Sequence, residues 1–211
     1  MATPAEPVVT GLRLGGSTNA WAGAGFSCGA DGFRAGDVPV LIEPAREPSI
    51  LLSTPGTSLD GAGSAMARTP GKDLPEKHPN GCCAVDHVVV TTPDFGRSKE
   101  AFAQDGLQLR REREGHGPNG PMLQAFYVAG PCLIELVSAT SGDADSDAPA
   151  RVWGVTFVTE DLGCLPALDP PVVATIGEAV QPGRRIAVAR AQLGLPLPVA
   201  FMDPRNKPSA T

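Results

Sequence analysis

The chain lacks the features that mark membrane, secreted or nucleic-acid-binding proteins. No apolar run approaches the roughly 20 residues that cross a bilayer, and the first residues lack the basic start and apolar core of a signal peptide. No Lys/Arg-rich run accompanies the net charge of −6, whereas phosphate binding needs a basic face. The sequence therefore predicts a cytoplasmic protein with no nucleic-acid and no membrane partner.

The cysteine content argues against one kind of site and indicates no other. The chain has 5 cysteines, an odd number, and no C-x-x-C pair. This usage is typical of a reducing compartment, in which cysteine serves mainly as a small buried residue. A zinc site built from these thiols is disfavoured because no two of them have the spacing of a ligand pair.

A weak internal repeat is the most informative pattern that is present. A shift of 67 positions superimposes a second apolar run and a second acidic helix-start signal on the first. The matching pairs are Val85 with Val152, Val88 with Val155, Asp94 with Asp161, and Phe95 with Leu162. His87 in the first copy is replaced by Gly154 in the second. The repeat predicts one structural unit used twice, with its metal-capable histidine kept in one copy.

Turn and cap signals divide the chain into three parts. Residues 1–54 read as a degenerate unit of one strand, one helix and three strands, and the Gly- and Pro-rich stretch 55–80 reads as a linker without a core of its own. Residues 81–211 read as one domain with two units, 82–140 and 150–204, each with a strand, a helix and three further strands. A helix is expected near 161–168, and a short strand near 172–176.

This order of elements, with His in a first strand and Glu in a last strand, resembles the vicinal oxygen chelate superfamily. The residues that carry the likeness are Val85–Asp94, Leu133–Val137 and Phe157–Leu162. The superfamily includes glyoxalases, extradiol dioxygenases and bleomycin-resistance proteins. The resemblance implies an α+β fold of repeated βαβββ units, which form curved, mainly antiparallel sheets around a concave pocket. An odd number of units implies either a first unit at an edge or pairing across a homodimer.

The resemblance also implies that His87 and Glu135 are metal ligands and catalytic residues. Strand alternation places each of them on one face of its own strand, so both can point into one concavity. The corresponding positions of the second copy are Gly154 and Phe201, which cannot bind a metal. From the residues alone three readings of the His–Glu pair stay open: a divalent-metal site completed by water, an oriented acid–base pair, or two groups that satisfy each other.

Aromatic and amide side chains supply candidates for the pocket wall. Gln124 and Tyr127 lie on opposite faces of one predicted strand, and either can face inward. The predicted pocket residues are Gln124, Phe126, Tyr127, Trp153, Phe157 and Phe201. Aromatic rings would stack on an organic ligand. His116 is expected in an exposed turn.

Three functions follow from this reading, and the sequence leaves open whether the protein is an enzyme. The first is a lyase, isomerase or dioxygenase that binds a small organic molecule beside a degenerate metal site. The second is a non-catalytic protein that sequesters a drug or metabolite. The third is an accessory protein with a vestigial pocket. A divalent metal is the one cofactor that any of these readings implies.

Overall fold

The computed structural model describes residues 6–65, 73–117, 120–139 and 147–205. Strands predominate among them. In chain order the strands are β1 Val9–Leu14, β2 Gly32–Ala35, β3 Val38–Ile42, β4 Ser49–Leu52, β5 Gly63–Ala65, β6 Cys82–Thr91, β7 Leu109–Gly117, β8 Gly120–Ala129, β9 Cys132–Ala139, β10 Arg151–Thr159, β11 Gly177–Glu178, β12 Arg185–Val188 and β13 Val199–Met202. The α-helices are α1 Thr18–Gly23 and α2 Phe95–Gln104, and 3-10 helices cover Leu59–Gly61, Leu162–Ala167 and Ala191–Leu193.

The chain divides into two compact units, each built from non-contiguous segments. Unit 1 contains the described parts of Met1–Leu12, Pro48–Thr69 and His87–Trp153. Unit 2 contains those of Arg13–Glu47, Pro70–Asp86 and Gly154–Thr211. The strands β1, β6 and β10 each contribute residues to both units.

Unit 1 contains the predicted order of one strand, one helix and three strands. From His87 onward β6 pairs in parallel with β9, and β9 pairs antiparallel with β8, which pairs antiparallel with β7. The parallel pair is possible because α2 and two further strands separate β6 from β9 along the chain. The predicted βαβββ arrangement is confirmed here.

Helix α2 covers one face of this sheet. Asp94 caps the helix by accepting a hydrogen bond from the backbone N–H of Arg97. Phe102 is fully buried and packs on Tyr127, with 5.0 Å between the ring centroids. Val88 and Val90 are fully buried as well. Because side chains alternate along a strand, residues 87, 89 and 91 of β6 lie on the opposite face, away from this core.

Unit 2 repeats the topology with shorter elements. From Gly154 onward β10 pairs in parallel with β13, which pairs antiparallel with β12, and β12 with β11. The helix expected near 161–168 is a 3-10 helix with Pro166 inside it, whose ring removes a donor from the α-helical ladder. The strand expected near 172–176 does not form. In its place Val173 makes an isolated bridge to Ala189.

The core of unit 2 is a cluster of aromatic rings. Trp21, Phe26 and Phe33 lie against one another with centroid distances of 4.3 to 5.6 Å. Phe26 also contacts Phe157 and Phe201. Burial of several large rings supplies much of the stabilisation of such a unit, roughly 25 cal/mol for each Å² of apolar surface removed from water.

Residues 55–80 differ from a featureless linker. Within them Leu59–Gly61 form a 3-10 helix and β5 pairs with β4, while Leu59 and Leu74 are buried. The stretch thus has two buried apolar side chains among its described residues, and the assignment of 55–80 as a linker without a core of its own stays a prediction. The proposed domain boundaries at 54 and 80 stay a prediction.

Candidate functional site

The face of the unit 1 sheet that α2 leaves uncovered carries a line of polar side chains, one on each of four adjacent strands. The register pairs Val89 with Glu135, so Glu135 and the odd-numbered residues of β6 share a face. Glu135 lies opposite Phe126, two residues from Gln124, and Gln124 lies opposite Arg113. Strand pairing thus places residues that are up to 48 positions apart in the sequence next to one another across β6, β9, β8 and β7.

His87 and Glu135 are adjacent on this face. His87 Nε2 lies 3.8 Å from Glu135 Oε2, and the two side chains are 15% and 14% exposed. That distance fits an ion pair or a shared ligand and is longer than a hydrogen bond. Both side chains are thus largely buried, with a small part of each exposed.

Gln124 continues the line away from His87. Its Nε2 donates to Glu135 Oε1 at 2.5 Å, and its Oε1 accepts from Arg113 Nε at 2.8 Å. Gln124 is 8% exposed, so its polar atoms depend on protein partners. We call Arg113, Gln124, Glu135 and His87 the polar line.

A cavity of about 700 Å³ lies against this face. Glu135 and Gln124 form part of its wall, and the rest comes from β6, the β7–β8 hairpin and the start of β10. The remaining lining residues are Val89, Thr91, Thr92, Pro93, His116, Gly117, Gly120, Pro121, Met122, Val137, Ser138, Ala148, Pro149, Arg151 and Trp153. Most of these are apolar or small, and the volume is that of ordinary small-molecule sites.

Charge within the cavity wall is unevenly placed. Among the lining residues that the structure describes, Glu135 is the one carboxylate, whereas His116 of the hairpin and Arg151 of β10 are exposed. Trp153 is 52% exposed and presents an aromatic surface to the cavity. A ligand with an apolar body and a hydrogen-bond donor near Glu135 matches this wall.

The structure separates the predicted pocket residues into two groups. Gln124 and Trp153 line the cavity, and Phe126 lies on the same face beneath Arg113, whose guanidinium carbon is 5.2 Å from the ring centroid. Tyr127 is instead 1% exposed in the core of unit 1, and burial raises its pKa to about 12. Gln124 and Tyr127 are three residues apart on β8, and because side chains alternate along a strand, they lie on opposite faces of the sheet.

Phe157 and Phe201 also lie in a core rather than at the cavity. Both are fully buried in the aromatic cluster of unit 2. The predicted role as stacking surface therefore does not fit them. Large aromatic residues in a strand suit a pocket wall and a core equally well in sequence, and only the strand register separates these possibilities.

The register also corrects the repeat position assigned to Phe201. Thr156, which is the counterpart of Val89 in the 67-residue shift, pairs with Ala200, whereas Phe201 pairs with Phe157. The unit 2 residue that corresponds to Glu135 is therefore Ala200. With Gly154 in place of His87, unit 2 carries neither side chain of the pair.

The donor set of the polar line falls short of a metal site. His87 and Glu135 supply two ligands, and Glu135 Oε1 already accepts from Gln124. Among the residues that the structure describes, no group of three or more His, Cys, Asp and Glu could hold a metal ion. Tight binding of a divalent ion requires three or more protein ligands, so these residues do not fit a resident metal.

None of the cysteines is among the residues that line the cavity. Burial raises the pKa of the Cys28 thiol to about 11 and raises that of Cys83 as well. Cys82 and Cys132 are buried. The raised pKa values of Cys28 and Cys83 favour the protonated thiol, which is the less nucleophilic form.

Arg113 is the part of the site that sequence analysis missed. It belongs to the run Arg111-Glu112-Arg113-Glu114, whose alternating charges are typical of an exposed edge strand. Arg113 belongs to the site because it pairs with Gln124, and this pairing depends on the register between β7 and β8. His116, expected in a turn, is also part of β7 and lines the cavity.

Comparisons with known proteins give similarity of fold. Methylmalonyl-CoA epimerase from Mycobacterium tuberculosis is 15% identical with a TM-score of 0.45, over 60% of this chain and 91% of that one. The Streptomyces coelicolor epimerase in complex with 2-nitronate-propionyl-CoA is 14% identical with a TM-score of 0.44, over 58% and 97%. A hypothetical protein from Bacillus halodurans C-125 is 12% identical with a TM-score of 0.45, over 59% and 96%.

Two of these three structural neighbours are methylmalonyl-CoA epimerases. No family model and no curated protein matches the chain. Among the described residues, none of the helices is long and apolar enough to cross a membrane.

Proposed function

We propose that the protein binds a small organic molecule in the cavity of unit 1 and that Glu135, with His87 beside it, moves a proton on the bound molecule. The observation that carries this proposal is the placement of a half-buried carboxylate in an otherwise largely apolar wall. A charged group in such a place lowers stability unless a partner satisfies it. Gln124 satisfies one oxygen of Glu135, and the other is available to a ligand.

The chemistry of the pair suits proton transfer without a metal. Glu135 Oε2 can take a proton from a carbon atom next to a carbonyl group, and the C–H electron pair then becomes an enolate. Return of a proton to that carbon completes an isomerisation or an exchange with solvent. His87 Nε2, 3.8 Å from the same oxygen, is placed to hold or return a proton. Readings that need a bound metal, such as a dioxygenase, have less support because the ligand set is incomplete.

Binding is tested with benzylamine, which has an apolar ring and a cationic donor. The fluorescence of Trp153 at the cavity reports binding, while Trp21, which is fully buried, supplies a constant background. We expect saturable quenching that disappears in Trp153→Phe. Glu135→Gln should weaken binding about tenfold or more, since hydrogen bonds to charged groups contribute roughly 1.5–3 kcal/mol. Glu114→Gln, an exposed carboxylate on β7 of the same sheet, is the matched control.

Proton transfer is tested with phenylacetone in heavy water. The wild-type protein should catalyse exchange of its CH₂ protons for deuterium, measured by ¹H NMR, and Glu135→Gln should abolish that exchange. Binding of benzylamine without exchange would favour the sequestering function over the enzyme. No binding of either compound would count against a small-molecule site in this cavity.

A further inference from the structure

We infer that Arg113 is a positioning residue of the site: it fixes the Gln124 carboxamide so that Glu135 Oε1 is bound and Oε2 is left for the ligand. Arg113 is absent from the cavity wall, so it acts through Gln124 rather than by contact. This inference deepens the proposed function and rests on it where ligand binding is concerned. The geometric part stands on the protein alone.

The orientation of Gln124 follows from hydrogen-bond chemistry. A guanidinium group only donates, so the atom of Gln124 that faces Arg113 Nε at 2.8 Å must be the amide oxygen. The amide nitrogen then faces Glu135 Oε1 and donates to it. A flipped amide would turn one oxygen toward another acceptor and one N–H toward a cation. Arg113 therefore makes Gln124 a donor to Glu135.

Arg113 is itself held in place. Its guanidinium carbon lies 5.2 Å from the centroid of the Phe126 ring, a distance at which a cation and a ring face attract each other. Phe126 lies directly opposite Glu135 on β9. The ring fixes the arginine side chain over the same strand pair that presents Gln124 and Glu135.

The neighbouring Gly115 makes room for this arrangement. A Cβ atom at position 115 would lie 2.4 Å from Gln124 Oε1, which is a clash. At Gly117, two residues along the same strand, a Cβ would meet only the terminal methyl of Met122 at 2.6 Å. Alanine at 115 must therefore displace the carboxamide, whereas alanine at 117 moves a flexible methionine end.

The consequence for the site is that the two oxygens of Glu135 are unequal. Oε1 is engaged by Gln124, and Oε2 lies next to His87 Nε2. A ligand then meets a single acceptor oxygen in a fixed direction. Such orientation is what distinguishes a prepared site from a carboxylate that rotates freely.

The direct test is the side-chain amide signal of Gln124 in ¹H–¹⁵N NMR spectra, assigned by its loss in Gln124→Ala. We expect one amide proton shifted downfield by its hydrogen bond to Glu135. Arg113→Met and Gly115→Ala should return that proton to the ordinary amide position. Arg111→Met, on the same strand and face, and Gly117→Ala should leave it unchanged. An unshifted signal in the wild type, or an unchanged one in Arg113→Met, would overturn the inference.

A double-mutant cycle tests the consequence for binding, with benzyl alcohol as a neutral donor probe and Trp153 fluorescence as the readout. Arg113→Met should weaken binding about threefold, a modest coupling for one hydrogen-bonded network. In the Gln124→Ala background the same change should have no effect. Additive effects would contradict action through Gln124. If the NMR result holds and no probe binds, the proposed function fails while the arrangement of Gln124 stands.

Discussion

Unit 1 and unit 2 share the order of strand, helix and strands but differ in the side chains at corresponding strand positions. In unit 1 the face of β6 and β9 carries His87 and Glu135 beside a cavity. In unit 2 the corresponding positions on β10 and β13 carry Gly154 and Ala200. The same topology therefore carries a polar pair in one unit and two small apolar residues at the corresponding positions of the other.

The polar groups of unit 2 are engaged within the fold. Asp86 and Arg184 are buried and lie 2.7 Å apart, and Arg184 also donates to the backbone oxygen of Asp203. Arg185 forms a two-bond contact with the Asp203 carboxylate. This network connects the start of β6 to β12 and to the end of β13. The polar line of unit 1 should thus affect binding, and this network of unit 2 should affect stability.

The largest effect is expected from Asp86→Asn. Removal of the charge leaves Arg184 buried without its anionic partner, which lowers the free energy of unfolding by about 3–5 kcal/mol. Urea denaturation measures the change. Arg205→Gln is the control, because Arg205 is 56% exposed at 3.6 Å from Asp86 and exposed pairs contribute less than about 1 kcal/mol. Equal effects of the two changes would remove the distinction between the units.

A smaller loss is expected from Gly154→Ala, which probes the position that corresponds to His87. The added Cβ would lie 3.0 Å from the backbone oxygen of Pro198. Overpacking against backbone lowers stability by about 1–3 kcal/mol. Gly177→Ala, with no atom within 4 Å of the new Cβ, should change little. A Gly154→Ala protein as stable as the wild type would mean that unit 2 has room for a ligand-bearing side chain.

A pH effect is expected from His78 in unit 2. Its Nδ1 accepts from the backbone N–H of Ser27 and its Nε2 lies 2.8 Å from the oxygen of Arg34, an arrangement that suits the neutral ring. Burial lowers its pKa from 6.5. The unfolded chain then takes up a proton at a higher pH than the folded one does. Stability is therefore present above pH 6.5 and falls as the solution is acidified below it.

His78→Gln should reduce the dependence of unfolding free energy on pH as the solution is acidified below about pH 6.5. Urea denaturation of the variant and the wild-type chain at matched pH values measures this. Identical slopes for the two proteins would show that His78 does not contribute to acid sensitivity.

The order of strands and the helix could be predicted well from the sequence, because apolar spacing and helix caps depend on residues that are close together in the chain. The run around Val88 and Val90, the cap at Asp94 and the βαβββ order all follow from short-range signals. At Leu162–Ala167 two local signals compete. The cap at Asp161 favours the start of a helix, whereas Pro166 inside the stretch disfavours an α-helix, and the segment is a 3-10 helix.

Only part of the candidate site could be predicted from the sequence, because some of its contacts depend on strand pairing rather than on local patterns. His87 and Glu135 stand out because polar residues are rare in apolar strands. Arg113 does not stand out, because its role depends on pairing with Gln124 across a hairpin. The assignments of Phe157 and Phe201 to a pocket wall reflect the same gap, since a shift of one residue in register moves a side chain to the opposite face.

The most direct test of the contrast between the units measures the stability and the benzylamine affinity of Glu135→Gln in the same preparation. The account predicts an affinity about tenfold weaker or worse, with the free energy of unfolding within about 0.5 kcal/mol of the wild type, because the side-chain oxygen of a glutamine at position 135 can still accept from Gln124 Nε2. A loss of 2 kcal/mol or more of stability with unchanged affinity would contradict it, since Glu135 would then serve the fold as Asp86 does.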